Sequence, residues 1–265
     1  MRMKAGVIRM DEMSAFLREI DRRRREYAGS ADNPEKETEY ECRQCRDTGF
    51  ITRMDENGCE IACRCKCYEI RRSKERMRRS GISVEFQKKT FDSFTTKGNA
   101  QLANAKEKAV RYVEYFANKE HDRHNSIMFT GQAGSGKTHL GMAICMSLIN
   151  SGVAVIYMAY RDAVTRIKQN LLDEVAYDRE LNKYTSARVL YIDDLLKGRL
   201  TDTDVNIMYE IMNYRYMNNM PVIISTEKTT DELLMFDEAI GSRLIEMCRR
   251  NIIQLHGKEL NYRLS

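Results

Sequence analysis

From residue 100 to the end of the sequence, short apolar runs alternate with segments in which apolar residues recur every three or four positions. The runs predict five buried strands, at residues 127–130, 153–158, 189–192, 222–225 and 252–255. The periodic segments predict helices at residues 101–119, 137–150, 161–175, 203–218 and 238–248. Strands that alternate with helices are typical of a parallel sheet covered by helices. The pattern therefore predicts an α/β fold with a five-stranded parallel sheet.

The N-terminal part of the chain has a different pattern. Residues 10–27 place apolar side chains on one helical face and end in a run of arginines, which predicts an amphipathic helix with a basic end. Residues 29–41 are polar and indicate a linker, and residues 68–80 form a basic helical run. We therefore expect two domains, residues 1–90 and residues 91–265.

Composition narrows the class of protein. The chain has 265 residues, of which 42% are hydrophobic and 31% charged, and its mean hydropathy is −0.58. No apolar run approaches the ~18 residues that a membrane-spanning helix needs, and the N-terminus lacks a secretory signal pattern, so we expect a cytoplasmic protein without a membrane partner. The net charge of +5 arises in residues 1–97, which hold 23 Lys and Arg against 18 Asp and Glu. This location favours a nucleic-acid partner without requiring one.

Six of the eight cysteines fall within 26 residues, at positions 42, 45, 59, 63, 65 and 67. In a reducing compartment, such a cluster indicates a metal site before disulfides. Cys42 and Cys45 form one ligand pair, and the sequence that follows predicts strand, turn and strand, as in a zinc ribbon. Spacing alone does not choose the second pair among the other four. Pairwise disulfides or an iron–sulfur cluster are the alternatives.

A phosphate-binding loop follows the first strand of the predicted sheet. Its residues fit G-x4-G-K-[ST] at every fixed position: Gly131, Gln132, Ala133, Gly134, Ser135, Gly136, Lys137 and Thr138. The glycines let backbone N–H groups surround phosphate oxygens, and the helix that begins here adds the positive end of its dipole. We expect Lys137 to reach the β- and γ-phosphates of ATP and Thr138 to bind Mg²⁺.

Paired acids end another predicted strand. Asp193 and Asp194 follow the apolar run 189–192, which has the form of a Walker B motif. A carboxylate at the C-terminal end of a parallel strand points into the ligand crevice. We therefore expect Asp193 to be the acid next to Mg²⁺ and Asp194 to orient the attacking water.

Two further candidate residues rest on weaker patterns. Thr226, with Glu227, could contact the γ-phosphate or end the strand in a plain turn, and Arg243 could be an arginine finger or a surface arginine.

Several motifs in this order resemble the DnaC/DnaI-like helicase loaders of phages and mobile elements. The resemblance covers residues 40–250 and is carried by CRQCRDTGF, a later CxC, TFDSF, GQAGSGKTHL, YIDDL, NYRYMNNMPVIISTE and GSRLIEM. It implies an AAA+ ATPase core related to the IstB transposition ATPases, and an N-terminal zinc domain that engages the replicative helicase. The family spacing selects Cys65 and Cys67 as the second zinc pair.

The resemblance also implies roles for individual residues. The finger of the family falls on Arg243, which would act on a neighbouring subunit's nucleotide after self-association through the ATPase domain. The family's sensor position, often an Asn, falls on Glu227. A helix that contacts single-stranded DNA in the family falls on Arg161, Arg166 and Lys168; from the residues alone, a solvated basic face explains these three equally well.

Three functions fit these observations. The first is an ATP-dependent loader that binds a hexameric replicative helicase and delivers it to single-stranded DNA, with ATP, Mg²⁺ and Zn²⁺ as cofactors. The second is an IstB-like transposition helper ATPase on duplex DNA. The third is a zinc-bearing adaptor that binds ATP as a structural switch and hydrolyses it at a negligible rate. The zinc module favours the loader, because the resemblance implies that transposition relatives usually lack it.

Overall fold

A computed structural model describes residues 40–56, 58–79, 84–257 and 260–262. The helix predicted over residues 10–27 and the linker up to residue 39 lie outside these ranges. The described residues form two compact units that divide between Tyr68 and Glu69. We call them the cysteine unit and the sheet unit. The division lies N-terminal to the boundary predicted at residue 90, and Ile70 and Phe91 both pack against the core of the sheet unit.

In the cysteine unit, β1 (Phe50–Met54) and β2 (Glu60–Arg64) form an antiparallel pair. The turn between them is closed by Asp55, whose carboxylate accepts a hydrogen bond from the Cys59 N–H at 2.8 Å. The predicted sequence of strand, turn and strand is therefore confirmed. Helix α1 (Lys66–Arg79) begins directly after this pair and matches the predicted basic helix within two residues.

The sheet unit alternates strands and helices as predicted. In chain order, its elements are α2 (Val84–Gln87), α3 (Ala100–Lys119), β3 (Ile127–Gly131), α4 (Lys137–Asn150), β4 (Val155–Ala159), α5 (Tyr160–Gln169), α6 (Glu174–Thr185), β5 (Val189–Leu195), α7 (Asp202–Met217), β6 (Val222–Thr226), α8 (Thr230–Phe236), α9 (Glu238–Cys248) and β7 (Ile252–Leu255). Strand positions match the apolar runs because strands covered on both faces are apolar throughout.

The described strands of this unit form a five-stranded parallel sheet in the order β4-β5-β6-β3-β7. Separate clusters of buried apolar side chains cover its two faces, one built around α3 and α4 and the other around α5, α7 and α9. All five carboxyl ends meet at one edge, which is where ligands bind in open α/β sheets. The sheet thus brings the ends of β3, β5 and β6 together.

The structure corrects one helix prediction and adds helices that the sequence pattern did not predict. The single helix predicted over residues 161–175 is two helices, α5 and α6, because Asp173 caps a new helix by accepting a hydrogen bond from the Ala176 N–H at 3.0 Å. Helix α8 was not predicted. It begins with a capping box, in which Thr229 and Glu232 satisfy each other's backbone N–H groups.

No helix in the described ranges combines the length and the apolar character that crossing a bilayer requires.

Candidate functional site

The loop between β3 and α4 has the backbone that phosphate binding requires. Gly131, Gly134 and Gly136 have φ of 132°, 78° and 88°, in the left-handed region that favours glycine. A Cβ at Gly131 would lie 2.0 Å from the carbonyl oxygen of Leu255 on the neighbouring strand β7. Gly136 is the N-cap of α4, so the loop leads directly into a helix N-terminus. These residues fit the phosphates of a nucleoside triphosphate, because the backbone N–H groups at a helix N-terminus point towards a bound anion.

The ammonium group of Lys137 lies inside this loop. Its Nζ donates to the carbonyl oxygens of Gly131 at 2.7 Å and Gln132 at 2.6 Å, and the residue is 5% exposed. Burial lowers the pKa of Lys137, whereas the negative charges of Glu227 and Asp194 oppose that shift. Both carboxylates therefore lie close enough to act on the group that would meet the phosphates.

Asp193 is held by hydroxyl groups from four elements within the described part of the chain. Its Oδ1 accepts from Thr138 at 2.9 Å, from Tyr191 at 2.8 Å and from Ser225. Its Oδ2 accepts from Tyr157 at 3.0 Å. The Thr138 hydroxyl and the Asp193 carboxylate, predicted as the Mg²⁺ pair, are thus in direct contact. An oxygen set of this kind suits Mg²⁺.

Asp193 is paired in regular strand register, whereas Asp194 is not. The pairing of β5 with β6 is irregular between Ile192 and Leu195, and Asp194 has φ of 55°. Such a bulge turns a side chain out of the sheet. The Asp194 carboxylate forms an ion pair with Lys197 at 2.8 Å, and Lys197 also lies 3.4 Å from the carboxylate of Glu227. The ion pair with Asp194 raises the pKa of Lys197.

Thr226 and Glu227 have different surroundings at the end of β6. Thr226 is fully buried, and its hydroxyl donates to the Leu195 carbonyl at 2.9 Å and accepts from the Lys228 N–H at 3.1 Å. Glu227 is exposed and contacts Lys197. Glu227 is therefore the side chain of this pair that faces the crevice. The hydroxyl of Thr226, which was predicted to be catalytic, instead forms a hydrogen bond that joins β6 to β5.

Arg243 lies on α9, against α7. Its guanidinium lies 5.3 Å from the ring centre of Tyr209 and 5.4 Å from that of Tyr216, and it donates to the Ala239 carbonyl at 2.7 Å. Its Nε is buried without a hydrogen-bond partner in the described structure. The guanidinium is thus half-buried against two aromatic rings of α7 and a carbonyl group of its own helix.

The three basic residues predicted to contact DNA lie on α5 but differ in their surroundings. Arg161 and Arg166 are exposed. Lys168 instead forms an ion pair with Asp204 at 2.5 Å and donates to the Thr201 hydroxyl at 3.0 Å. Its charge stabilises the start of α7, which leaves Arg161 and Arg166 as the accessible cations of this set.

The cysteine unit brings together the four cysteines that the family resemblance selected. The sulfur atoms of Cys42, Cys45, Cys65 and Cys67 all lie within 4.8 Å of one another. The nearest contacts are 3.3 Å between Cys45 and Cys67 and 3.7 Å between Cys42 and Cys65. A tetrahedral site with Zn–S bonds of about 2.3 Å separates its sulfurs by about 3.8 Å, so the cluster is compatible with zinc.

Two further features support metal binding here. None of the four cysteines forms a disulfide within the described ranges. Burial opposes ionisation of the Cys45 thiol, but hydrogen bonds from the Cys67 thiol and the Gly49 N–H outweigh it and lower the pKa of Cys45 to about 6. Cys59 is exposed, and Cys63 lies on β2 opposite Ile51; neither belongs to the cluster. The chemistry of four soft thiolates matches zinc.

Sequence reasoning missed several residues around the phosphate loop. The C-terminal segment reaches it, since the Tyr262 N–H donates to the Gly134 carbonyl at 3.1 Å and Gly257 exchanges hydrogen bonds with the Gln132 side chain. The Phe94 ring approaches Gly136 and packs edge-on against His139. The motif TFDSF was noted in the sequence, but no local signal placed it on the loop.

Comparisons with known proteins agree with this site. The model of the IstB-like ATP-binding protein family matches residues 62–263. The phage-like element PBSX protein XkdC of Bacillus subtilis (strain 168) is 35% identical over 259 residues, which cover 94% of this chain and 96% of that protein. The replicative helicase loader DnaC of Escherichia coli (strain K12) is 26% identical over 172 residues, 64% of this chain and 67% of that protein.

A solved structure extends the likeness to the fold. The crystal structure of the DnaC helicase loader superposes with a TM-score of 0.58 at 23% identity, and the match covers 66% of this chain and 100% of that chain. At this identity, the likeness shows a shared fold. The family match spans the phosphate loop, the paired acids and the sheet that positions them. The chain therefore belongs to the IstB-like ATP-binding protein family, and its sheet unit has the AAA+ fold of the DnaC-like loaders.

Proposed function

We propose that this protein is an ATP-dependent loader, which binds a hexameric replicative helicase and delivers it to single-stranded DNA in the cytoplasm. The observation that carries the proposal is the likeness to the replicative helicase loader DnaC over about two thirds of both chains. It is supported by a complete set of nucleotide-site residues in the sheet unit and by a four-cysteine cluster in a separate unit. XkdC, which is 35% identical to this chain, carries no activity in its name.

The geometry of the crevice supports hydrolysis of ATP. Lys137 and the backbone N–H groups at the start of α4 bind the phosphates and hold the γ-phosphate in place. Thr138 and Asp193 hold Mg²⁺, which neutralises developing negative charge when it is bound. The carboxylate of Asp194 orients the attacking water, and Glu227, linked to Asp194 through Lys197, senses the γ-phosphate.

A second subunit completes the site. Arg243 packs against Tyr209 and Tyr216 of α7, and in this proposal its guanidinium acts on the nucleotide of a neighbour in an assembly formed through the ATPase domain. The packing between Tyr209 and Tyr216 holds the side chain until that neighbour arrives. Hydrolysis is therefore coupled to assembly.

The remaining residues bind partners. Residues 1–90 engage the helicase, with Zn²⁺ on Cys42, Cys45, Cys65 and Cys67 holding the fold of a unit too small for a large core. Arg161 and Arg166 on α5 contact the phosphates of single-stranded DNA. The residues from 91 onward form the ATPase domain.

Copurification tests the partner directly. The full chain, mixed with a replicative helicase, should form a stable complex that depends on the cysteine unit, so Cys45→Ser should abolish it while Lys137→Ala keeps it. ATP and single-stranded DNA should release the helicase from the wild type but not from Asp194→Asn. Failure of the wild type to retain its cognate helicase under every nucleotide condition would overturn the loader assignment.

The family description supports a second candidate, a transposition helper ATPase on duplex DNA. Stimulation of ATP hydrolysis separates the two. A loader responds to single-stranded DNA with helicase, and a transposition ATPase responds to long duplex DNA alone. A third candidate is a zinc-bearing adaptor that binds ATP as a structural switch with negligible hydrolysis. This candidate predicts equal phosphate release by the wild type and by Asp194→Asn.

A further inference from the structure

A cavity of about 270 Å³ lies at the edge of the sheet opposite the phosphate loop. It is bounded by the C-terminal half of α3 and by the segment that joins α9 to β7. Asn125 and Asn251, which precede β3 and β7, line it, and their side chains donate hydrogen bonds to neighbouring backbone carbonyls. None of the residues that line the cavity belongs to the nucleotide site.

The wall of this cavity is basic. Arg111, Lys119, His124 and Arg250 line it, and no carboxylate lines it within the described part of the chain. Arg250 is exposed and has no ion-pair partner among the described residues. Arg111 pairs with Glu107, but both side chains are more than half exposed, so that pair is weak. The positive charge of the wall is therefore available to a ligand.

An aromatic ring lies between two of these cations. Arg111, Tyr115 and Lys119 follow one another at intervals of four residues on α3, which places them on the same helical face about 6 Å apart per step. Tyr115 is 53% exposed, and the Lys119 ammonium lies 5.8 Å from its ring centre. A cation, a stacking platform and a second cation thus form a row along the cavity.

We propose that this basic aromatic cavity, defined by Arg111, Tyr115, Lys119, His124 and Arg250, binds single-stranded nucleic acid. Arg111, Lys119 and Arg250 meet successive phosphates, and one unstacked base stacks on Tyr115. An acidic peptide would use the cations but not the exposed ring, and duplex DNA would keep its bases out of reach of the ring. The site is a second contact for the strand, distinct from α5, and it rests on the proposed function in that the protein meets single-stranded DNA.

Fluorescence anisotropy with a labelled oligothymidylate tests the proposal on the full chain. Lys119→Ala and Arg250→Ala should each weaken binding and lower the slope of log affinity against log salt by about 0.7, the value for one phosphate contact on a single strand. Arg249→Ala is the matched control, because Arg249 is the exposed neighbour of Arg250 and lies outside the cavity. Tyr115→Ala should weaken binding about tenfold, and Tyr115→Phe should not.

The outcomes separate this proposal from the proposed function. If the wild type binds the strand and the Arg166→Ala variant weakens binding while the cavity variants do not, the cavity proposal is wrong and the loader proposal stands. If the cavity variants lose helicase binding but keep the oligothymidylate, the cavity is a protein contact and the proposal is also wrong. If the wild type does not bind the strand at all, both proposals fail. Unchanged ATP hydrolysis in the cavity variants shows that their fold is intact.

Discussion

The hydroxyl of Tyr191 donates a hydrogen bond to the Asp193 carboxylate across 2.8 Å, from a position two residues earlier on the same strand. Alternate residues of a strand face the same side, so β5 itself aims both side chains into one space. Tyr191 is fully buried, and its hydroxyl occupies the space that a Cβ at Gly141 on α4 would fill, at 2.5 Å. The strand and the helix thus fix the orientation of the Asp193 carboxylate together.

Replacing Tyr191 by phenylalanine should weaken the response of the ATPase to Mg²⁺. The change removes a donor from Asp193 Oδ1 without changing the ring, so we expect the Mg²⁺ concentration at half-maximal activity to rise about tenfold. The free energy of unfolding should fall by about 1 kcal/mol. A Mg²⁺ titration of phosphate release and a urea denaturation curve measure the two effects.

Tyr160→Phe is the matched control for that experiment. The hydroxyl of Tyr160 is also buried but has no hydrogen-bond partner in the described structure. Its removal should leave the Mg²⁺ dependence unchanged and should not lower stability. If both variants shift the Mg²⁺ response equally, the hydrogen bond from Tyr191 does not orient Asp193.

Lys137 and Asp194 should separate ATP binding from ATP hydrolysis. Lys137→Ala removes the ammonium that lies inside the phosphate loop and that we propose contacts the phosphates, so nucleotide affinity and nucleotide-dependent function should be lost. Asp194→Asn keeps the loop intact and should bind ATP normally while phosphate release falls. Titration with a fluorescent ATP analogue checks the division, and equal losses of affinity in the two variants would contradict it.

Zinc content should follow the four-cysteine cluster. Elemental analysis should find one Zn²⁺ per wild-type chain and a loss of zinc after Cys65→Ser or Cys67→Ser, because the remaining thiolates leave the tetrahedral site open. Cys59→Ser and Cys63→Ser serve as controls, since neither sulfur belongs to the cluster, and both should keep their zinc. Loss of zinc from Cys63→Ser but not from Cys65→Ser would overturn the assignment. Iron with labile sulfide would indicate an iron–sulfur cluster.

Arg243 should act between subunits. Arg243→Ala should bind ATP normally but hydrolyse it slowly at every protein concentration, because an arginine finger contributes about 10³ to 10⁵ in rate in GTPases. An equal mixture with Lys137→Ala should recover hydrolysis, since one interface then joins an intact Arg243 to an intact phosphate loop. If the mixture stays inactive while both proteins assemble on DNA, Arg243 has a structural role between Tyr209 and Tyr216.

The positions of the strands, and of the phosphate loop and the paired acids that follow them, could be predicted because they depend on local sequence. A strand buried on both faces needs a continuous apolar run, and the runs over residues 127–130 and 189–192 end at the phosphate loop and at the paired acids. A parallel sheet brings such ends to the same edge. The contact between Thr138 and Asp193, 55 residues apart, follows from that rule.

What the sequence did not predict depends on tertiary contacts or on short capping signals. At the end of β6, Glu227 is exposed and contacts Lys197, whereas Thr226 is not exposed. The pairing of β6 with an irregular part of β5 directs the Thr226 hydroxyl to the carbonyl oxygen of Leu195. The break between α5 and α6 depends on the single cap Asp173. The contact of Tyr262 with the phosphate loop joins residues 128 positions apart, and no local pattern encodes it.

Helicase loading onto a closed circle of single-stranded DNA tests the central claim most directly, because a ring-shaped helicase cannot thread onto a circle that has no end. With ATP, the wild type should place its cognate helicase on circles coated with single-strand-binding protein, as detected by unwinding of an annealed strand. Lys137→Ala and the zinc-deficient Cys65→Ser variant should not. Helicase placement that is equal with and without this protein, or ATP hydrolysis that long duplex DNA alone stimulates fully, would contradict the account.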